Sequence, residues 1–334
     1  MIPNLNFITI DSSSELLEGL IHDLILTPRI KAINWSKVTK QTPGLKIGYP
    51  AQHIASLLTG VEGGRSAARG DDLVDGSEVK GCNRIDQLDR CKDCSNKVLR
   101  HEICCGFCGS DSIKRNNDSK WLIAIKSEAE LELYTQKIDR IVFIILDYPY
   151  FSNDNFDILS IKVYEIWPKN NDSFKRILSQ YYYDIYLKHI ALNPRKTPAP
   201  KNFWPYQYQF YKCKPIKIYE CTVCDINSNP KIVTNLYTAP SYDRSKIEPE
   251  AVPTKVLTLE ELDIVFSSNK DELNNLYSDA VNFWRSLGET QRKQKKNKEL
   301  LYEKIPELPH YFIDCLDLRN NSNPVSHTKE YARR

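Results

Sequence analysis

Residues 62–108 read EGGRSAARGDDLVDGSEVKGCNRIDQLDRCKDCSNKVLRHEICCGFC and carry two chemical signals in close succession. The first is the acidic stretch 70–80, GDDLVDGSEVK, in which an Asp-Gly pair is a strong turn signal between two strand-like arms. Because side chains alternate along a strand, Glu78 and Lys80 are expected to point to the same face. An aspartate from the other arm joins them, so that two carboxylates and one ammonium converge on one patch.

The length of the turn decides which aspartate takes that place. A three-residue turn at 75–77 sets Asp72 opposite Lys80, whereas a two-residue turn at 75–76 sets Asp71 there. A change of one residue in register moves every side chain to the other face of a strand. We favour Asp72, because the apolar pair that follows it gives the usual order of an acidic residue and then an apolar strand.

Oxygen ligands of this kind suit Mg²⁺, which binds proteins through one or two carboxylates and completes its shell with water and phosphate oxygens. A metal at this patch can activate a water molecule and stabilise charge on a phosphoryl group, with the lysine helping both. The competing interpretation is a charged surface hairpin without catalytic function. The acidic stretch therefore predicts a metal site of the kind that phosphoryl-transfer chemistry requires.

The order Asp, short gap, Glu-x-Lys on paired strands resembles the signature of the PD-(D/E)xK nuclease superfamily. The stretch GDDLVDGSEVK is similar to the version found in type II restriction endonucleases, although Asp71 stands where the usual proline would be. Over roughly residues 44–166, the resemblance implies Mg²⁺-dependent hydrolysis of double-stranded DNA by a homodimer at a palindromic or interrupted palindromic site. It implies Asp72 and Glu78 as Mg²⁺ ligands, Lys80 as the residue that orients the attacking water, and Glu62, after a preceding helix, as an assisting acid.

The second signal is a pair of CxxC motifs separated by ten residues. Two such motifs supply the four thiolates of a tetrahedral structural zinc site, which has no open position for chemistry. Cys104 is the neighbouring alternative to Cys105, and His101 is a weaker substitute. Disulfides are the competing interpretation, but the lack of a signal peptide favours a reducing cytoplasm, in which thiols persist. The predicted Zn²⁺ ligands are Cys91, Cys94, Cys105 and Cys108, in a zinc-knuckle insertion at 88–112.

The amino-acid composition indicates which classes of protein fit the chain. Of the 334 residues, 41% are hydrophobic and 10% aromatic, which is enough for a substantial core, and no run of 18 or more apolar residues suggests a membrane span. We expect a globular protein of the prokaryotic cytoplasm, associated with the nucleoid. The net charge is only +3, so a nucleic-acid surface has to arise from local clustering of cations.

The hydrophobic pattern predicts an α/β fold, which is consistent with the mixed central sheet that the resemblance to the PD-(D/E)xK nucleases implies. Amphipathic spacing also predicts an N-terminal helix that ends at Pro28 and a second helix that starts near Pro50. We assign 1–168 to a catalytic domain and 169–334 to a largely helical region for DNA recognition and dimerisation. After the acidic stretch, strands are predicted at 120–126, 138–149 and 157–168, and a helix at 127–138.

Three further features suggest DNA contacts. Asn83, Arg84 and Gln87 follow the acidic stretch and are residue types that reach base edges or phosphates. Segment 195–214 mixes lysines with aromatic residues, which suits phosphate contact and stacking, while a proline-rich loop that wraps another domain is an equal alternative. The cluster at 292–298 contains five cations and suits either phosphate contact or a solvated helix face.

Three other cysteines could supply part of a second zinc site, although buried free thiols are the favoured interpretation. They are Cys213, Cys221 and Cys224.

The favoured function is a Mg²⁺-dependent type II restriction endonuclease with a structural zinc. The alternatives are a structure-specific repair or recombination nuclease of the same superfamily and a zinc-containing nucleic-acid-binding protein without catalysis. The polar tail from Asn320 is expected to fray.

Overall fold

The structure, a computed structural model, describes residues 1–65, 70–195 and 200–319. The chain divides into two compact units. Met1–Asn170 and Ile216–Ile247 form the first unit, and Asn171–Pro215 with the chain from Glu248 onward forms the second. The break after Asn170 falls beside the division predicted at residue 168, but Ile216–Ile247 returns to the first unit.

The strands within the described residues are short, apart from those of one central sheet. In chain order they are β1 (Glu78–Asn83), β2 (Asp89–Cys91), β3 (Lys97–Val98), β4 (Ile113–Lys114), β5 (Trp121–Ile123), β6 (Ile141–Asp147), β7 (Leu159–Ile166), β8 (Lys201–Phe203), β9 (Ile216–Cys224), β10 (Lys231–Tyr237), β11 (Val252–Pro253) and β12 (Glu307–Leu308).

The first unit is built on a mixed five-stranded sheet in the order β1-β6-β7-β9-β10. β1 runs parallel to β6, and the other neighbouring pairs are antiparallel. Every residue of β6 is buried, as expected for an apolar strand that is covered on both faces. The predicted mixed α/β architecture is therefore confirmed, and β1, which carries Glu78 and Lys80, lies at one edge of the sheet.

Helices cover this sheet and make up most of the second unit. In chain order they are α1 (Ser14–Ile21), α2 (Thr27–Thr39), α3 (Gly48–Thr59), α4 (Glu128–Glu132), α5 (Asp172–Gln180), α6 (Leu187–Leu192), α7 (Tyr208–Lys212), α8 (Leu259–Ser268), α9 (Lys270–Ser286), α10 (Glu289–Arg292) and α11 (Lys295–Lys304).

The N-terminal helix continues beyond its predicted end at Pro28. A π-helical turn at His22–Leu26 joins α1 to α2, and the Thr27 amide donates a hydrogen bond to the His22 carbonyl. Pro28 then occupies the first turn of α2, directly after the π-helical turn, so its missing N–H falls where the hydrogen-bond pattern changes from i→i+5 to i→i+4. The prediction that the helix ends at this proline was wrong for that reason.

α3 begins and ends as its sequence predicts. The helix covers Gly48–Thr59, and Gly60 follows with a left-handed backbone (φ +68°) that ends it. Its apolar residues pack with those of α1 and the central sheet, since Leu17, Ile54 and Val142 belong to one buried cluster. This packing fixes α3 against β1.

The second unit contains the basic and aromatic segment 195–214, for which DNA contact and a wrapping loop were equal alternatives. Its aromatic rings are mostly buried, with Trp204 only 2% exposed. Lys212 is also buried and donates to the backbone carbonyls of Ile313 and Leu316. The described part of the segment therefore contributes to the core, which does not support the alternative of stacking on DNA. Lys196 and the tail from residue 320 lie outside the described residues.

In the second unit, α8 begins with a capping box between Thr258 and Glu261. Among the described residues of the whole chain, no helix combines the length and the apolar character that crossing a bilayer requires.

Candidate active site

The acidic stretch forms a compact turn that leads directly into β1. The Leu73 amide donates to the Ser77 carbonyl (3.2 Å), and the Gly76 amide donates back to the Leu73 carbonyl (3.0 Å). Leu73 pairs with Gly63 in an isolated bridge instead of with β1. The predicted two-armed hairpin is therefore absent: the arm before the turn pairs with the chain at 62–64, and β1 pairs with β6 in the central sheet.

The Asp72 carboxylate reaches across this turn to β1. Its Oδ2 accepts a hydrogen bond from the Val79 amide at 2.7 Å, and its Oδ1 accepts one from Gln52 Nε2 of α3 at 2.5 Å. Gly64 donates its amide to the Asp72 carbonyl, and a Cβ at Gly64 would lie 2.0 Å from the carbonyl oxygen of Asp71. The close approach of these two backbone segments explains why a glycine stands at 64.

Glu78 lies at the first position of β1 and is only 2% exposed. Its Oε1 contacts the Lys80 ammonium and accepts a hydrogen bond from the Tyr134 hydroxyl at 3.1 Å. Its Oε2 accepts one from the Gly70 amide at 2.5 Å. These donors compensate the buried charge and hold the carboxylate in one orientation.

Burial and a neighbouring charge both act on the Asp72 carboxylate. Burial raises the pKa of Asp72, and the negative charge of Glu78 raises it further, although the hydrogen bond from Val79 opposes the shift. A divalent cation would compensate both effects, because it stabilises the ionised form of each carboxylate. The oxygen donor set formed by Asp72 and Glu78 thus fits Mg²⁺.

Asp71 and Glu62 are placed differently from these two residues. Asp71 is exposed, whereas Asp72 is half-buried. The exposed carboxylate of Glu62 accepts a hydrogen bond from Thr9 at 3.2 Å. Among the described residues, Glu62 is not gathered with Asp72 and Glu78 into any group of three ligand atoms within 4.8 Å. Its backbone carbonyl instead accepts from the Val74 amide and so supports the acidic turn.

Three residues of the site were missed by the sequence interpretation. Gln52 and Tyr134 bond the two carboxylates from helical segments far away in the chain. Arg140 is buried and bonds two residues of the turn, with Nη2 2.5 Å from Asp75 and Nε 3.0 Å from the Ser77 hydroxyl. Each contact bridges 20 or more positions in sequence, so no local pattern marks them.

The side chains at the end of β1 and just after it contact other segments of the first unit. Arg84 is buried and donates to Asp147 at 3.0 Å and to the Asn117 carbonyl at 2.9 Å. Asn83 donates to the Leu45 carbonyl, and Gln87 accepts from the Asp118 amide. These contacts do not support the predicted role of the segment in reading bases.

The two CxxC motifs meet in a small three-stranded sheet in the order β3-β2-β4. Their four sulfur atoms lie within 4.8 Å of one another, with Cys91 3.6 Å from Cys108 and Cys94 3.5 Å from Cys105. Cys104 is exposed and is not part of this group. Four thiols at this spacing could hold a tetrahedral zinc ion.

No comparable group surrounds Cys213, Cys221 and Cys224 in the described residues. In the part of the chain that the structure describes, the cluster of 91, 94, 105 and 108 is the one group of three or more potential ligands. Cys221 lies on β9 with its side chain in the core of the first unit. A second zinc site at these cysteines is not supported.

The comparison with known proteins identifies the family. The model of the MamI restriction endonuclease family matches residues 34–255, which is more than half of the chain. The chain belongs to the MamI restriction endonuclease family. The matched range contains α3, β1, the cysteine cluster and the central sheet of this family member. The predicted resemblance to type II restriction endonucleases is thereby confirmed.

One curated relative adds to this assignment. The type II restriction enzyme MamI from Microbacterium ammoniaphilum is 37% identical to this family member over 86 residues. The match covers 26% of this chain and spans 28% of the length of the relative. No solved structure matches the chain.

Proposed function

We propose that this protein is a Mg²⁺-dependent type II restriction endonuclease that hydrolyses phosphodiester bonds at a specific sequence in double-stranded DNA. The observation that carries the proposal is the convergence of Asp72, Glu78 and Lys80 at the start of β1 in a member of a restriction endonuclease family. A surface hairpin would leave such side chains solvated, whereas Glu78 is buried here and bonded to three donors.

Asp72 and Glu78 would hold the metal. Mg²⁺ bound there supplies activation of water and stabilisation of the charge that develops on the phosphate. The chain contributes the orientation of its ligands, since the Val79 amide and Gln52 fix Asp72 while Tyr134 fixes Glu78. Fixed ligands reduce the reorganisation that the reaction requires.

Lys80 would orient the attacking water. Its ammonium has three N–H donors, and the contact with Glu78 uses one of them. The remaining donors can bond a water molecule or an oxygen of the scissile phosphate, next to the carboxylates. Glu62 supports the acidic turn through its backbone, and the contact of its carboxylate with Thr9 does not favour a direct role in catalysis.

The wider architecture suits the same proposal. We assign the fold to the PD-(D/E)xK nuclease type, because a helix precedes an edge strand with Glu-x-Lys and two long antiparallel strands continue the sheet. The first unit would carry catalysis, and the second unit would contribute to DNA recognition and to a homodimer on a palindromic site. The protein would act in the prokaryotic cytoplasm on DNA of the nucleoid.

The cysteine cluster would hold a structural zinc ion. Four thiols with no open position leave no place for a substrate, so the ion would contribute to folding free energy and not to chemistry. The small sheet β3-β2-β4 has few buried apolar residues of its own, namely Val98 and two of the cysteines. A metal is the usual source of stability for such a small module.

The test is digestion of one long DNA with purified protein and Mg²⁺, followed by sequencing of the ends. We expect discrete fragments whose ends share one sequence, which also defines the cut position and the overhang. A smear with random ends would indicate a nuclease without sequence specificity. Intact DNA with each of Mg²⁺ and Mn²⁺, on substrates of varied sequence and methylation state, would contradict the proposal.

A further inference from the structure

Three cations form a row across the small sheet that carries the cysteine cluster. Arg90 on β2 lies directly opposite Lys97 on β3 and directly opposite Lys114 on β4. All three residues are exposed. Like charges in opposite positions of an antiparallel pair destabilise a sheet. The row therefore opposes folding of the module, which is a reason to look for a function in binding.

The three side chains line one cavity of about 300 Å³. The acid that also lines it, Asp89, is 1% exposed and already compensated. Asp89 Oδ2 lies 3.0 Å from Arg100 Nε and 2.9 Å from Arg115 Nη1. Its negative charge is therefore used inside the module, and it does not neutralise the row.

No other carboxylate takes up the charge of the row. Across the described residues, neither Arg90 nor either lysine of the row has an ion-pair partner. Side chains alternate along β2, so Arg90 points away from its neighbours Asp89 and Cys91, which are both buried. The row thus presents three positive charges to a ligand in the cavity.

The backbone of the strands that carry the cations is held in place by the rest of the module. The Cys91 amide donates to the Asn96 carbonyl, and the Lys92 amide donates to the Ser112 carbonyl. Asp89 also accepts from the Asn116 amide, which fixes the chain after β4. Cations on an ordered backbone lose less conformational entropy on binding than cations on a mobile loop.

A second cavity continues the first. It has a volume of about 430 Å³, shares Leu88 and Lys97 with the first, and adds Lys40 and Glu102 to the lining. The Glu102 carboxylate accepts a hydrogen bond from the Leu99 amide. Both cavities are open concave surfaces, and the second lengthens the path that begins at the row without adding net charge. A chain of phosphate groups fits such a path better than a single small anion does, because a nucleic-acid backbone repeats its charge along its length.

We propose that Arg90, Lys97 and Lys114 bind phosphate groups of the duplex DNA backbone. Contacts of this type position a protein on DNA without reading its sequence. The module of the cysteine cluster would thereby act as a clamp that is separate from the carboxylates of the active site. The choice of DNA as the partner rests on the proposed function, while the binding of phosphate groups rests on the row itself.

The test compares salt dependence of DNA binding in the absence of added Mg²⁺. The variant Arg90→Gln/Lys97→Gln/Lys114→Gln and the unmodified protein are titrated with a duplex of about 30 base pairs of random sequence at several salt concentrations, a length that spans more than the typical contacts of one protein. Since each lost phosphate contact lowers the slope of log affinity against log salt by about 0.9, we expect the slope to fall by about 2 to 3.

Two control variants accompany it. Lys31→Gln/Lys246→Gln/Lys255→Gln removes the same number of exposed positive charges elsewhere, and we expect a clearly smaller change in slope. Arg90→Lys/Lys97→Arg/Lys114→Arg keeps the charges and should keep the slope. The thermal midpoint of the glutamine variant should equal or exceed that of the unmodified protein, because repulsion is removed. Its zinc content should be unchanged. Single glutamine variants, each expected to lower the slope by about 0.9, replace the triple variant if it misfolds.

The outcomes separate the two proposals. If the unmodified protein binds and cuts DNA while the glutamine variant keeps its salt slope, the clamp is wrong and the proposed function stands. If inorganic phosphate raises the thermal midpoint only when the row is intact, and the DNA slopes agree, the site binds a free anion and the DNA assignment is overturned. If the unmodified protein neither binds nor cuts any duplex, the proposed function fails and the assignment of DNA fails with it.

Discussion

Two regions of the first unit bring like charges together, and they do so in opposite ways. At the start of β1, the half-buried Asp72 and the buried Glu78 share a patch in which every carboxylate oxygen accepts a hydrogen bond. Across the small sheet, Arg90, Lys97 and Lys114 stand exposed without ion-pair partners in the described residues. The first arrangement suits a single small cation, and the second suits an extended, solvated anion.

The physical reason for the difference is desolvation. Burying a carboxylate is costly unless donors hold it, and the same donors fix its position to within the tolerance that a metal ion requires. Exposed cations remain hydrated and interact over several ångströms, which is sufficient for phosphate groups whose positions vary with DNA shape. Changes at the first region should therefore have larger and more localised effects than changes at the second.

The largest effect is expected for Glu78→Gln. This change removes a proposed metal ligand but keeps the shape of the side chain, so DNA cleavage should fall by roughly a thousandfold or more. Binding measured by gel shift should persist, because the proposed phosphate contacts lie elsewhere. Glu128→Gln changes an exposed glutamate of the same unit and should cleave normally. Full cleavage by the Glu78→Gln protein would rule out catalysis at this patch.

The two neighbouring aspartates provide a matched pair. Asp72→Asn should lower cleavage by about as much as the change at Glu78, roughly a thousandfold, whereas Asp71→Asn should retain most of the activity because its side chain is exposed. Single-turnover cleavage rates at saturating Mg²⁺ decide between them. The reverse outcome would identify Asp71 as the ligand and would show that the turn changes its register when the metal binds.

Two neighbouring cysteines, one inside the cluster and one outside it, provide a matched pair of variants. Cys105→Ser should remove bound zinc and lower the thermal midpoint by at least several degrees, because a thiolate ligand contributes directly to folding free energy. Cys104→Ser should leave both quantities unchanged, since Cys104 is outside the cluster. Metal analysis of the purified protein should find about one zinc per chain. A folded and active protein without zinc would contradict this prediction.

A smaller effect is expected where a residue only orients a ligand. Tyr134→Phe removes the hydrogen bond to Glu78 Oε1 and should lower cleavage by about tenfold, the lower end of what loss of a ligand-orienting contact costs. The half-maximal Mg²⁺ concentration should rise in the same variant. Tyr150→Phe alters an exposed tyrosine and serves as the control. An unchanged Mg²⁺ dependence would mean that Tyr134 has only a packing role.

The smallest effect is expected for the basic cluster at 292–298. Arg292 is bound to Asp263 at 2.7 Å, and Lys293 is bound to Glu289 at 2.5 Å, so part of its charge is already compensated. The variant Lys295→Ala/Lys296→Ala/Lys298→Ala should therefore lower the salt slope by about 1 at most. A larger decrease than that of the row on the small sheet would make this cluster the main phosphate contact.

Comparison of the two regions also explains which predictions succeeded. The spacing of the CxxC motifs alone indicated the cysteine group, because each pair of ligands is joined by a short turn that brings its sulfur atoms together. The alternation in Glu78-Val79-Lys80 alone indicated which side chains share a face, since that property belongs to any strand. By contrast, β9 and β10 were not predicted, although the cysteines of 216–224 were expected to be buried thiols. Their place in the sheet depends on the pairing of β9 with β7, which lies 50 or more residues earlier in the chain.

The amino-acid sequence by itself determined the local chemistry of this protein: the acidic turn, the Glu-x-Lys strand, the four thiols and the α/β pattern. Only the tertiary structure decided that Asp72 is the aspartate beside Glu78, that Tyr134 and Gln52 hold the pair, and that cations from three strands form one row. The physical reason is the sequence separation over which each interaction acts. Periodicity and ligand spacing act over a few residues, whereas the partner of a buried charge is chosen by the packing of segments that are distant in the chain.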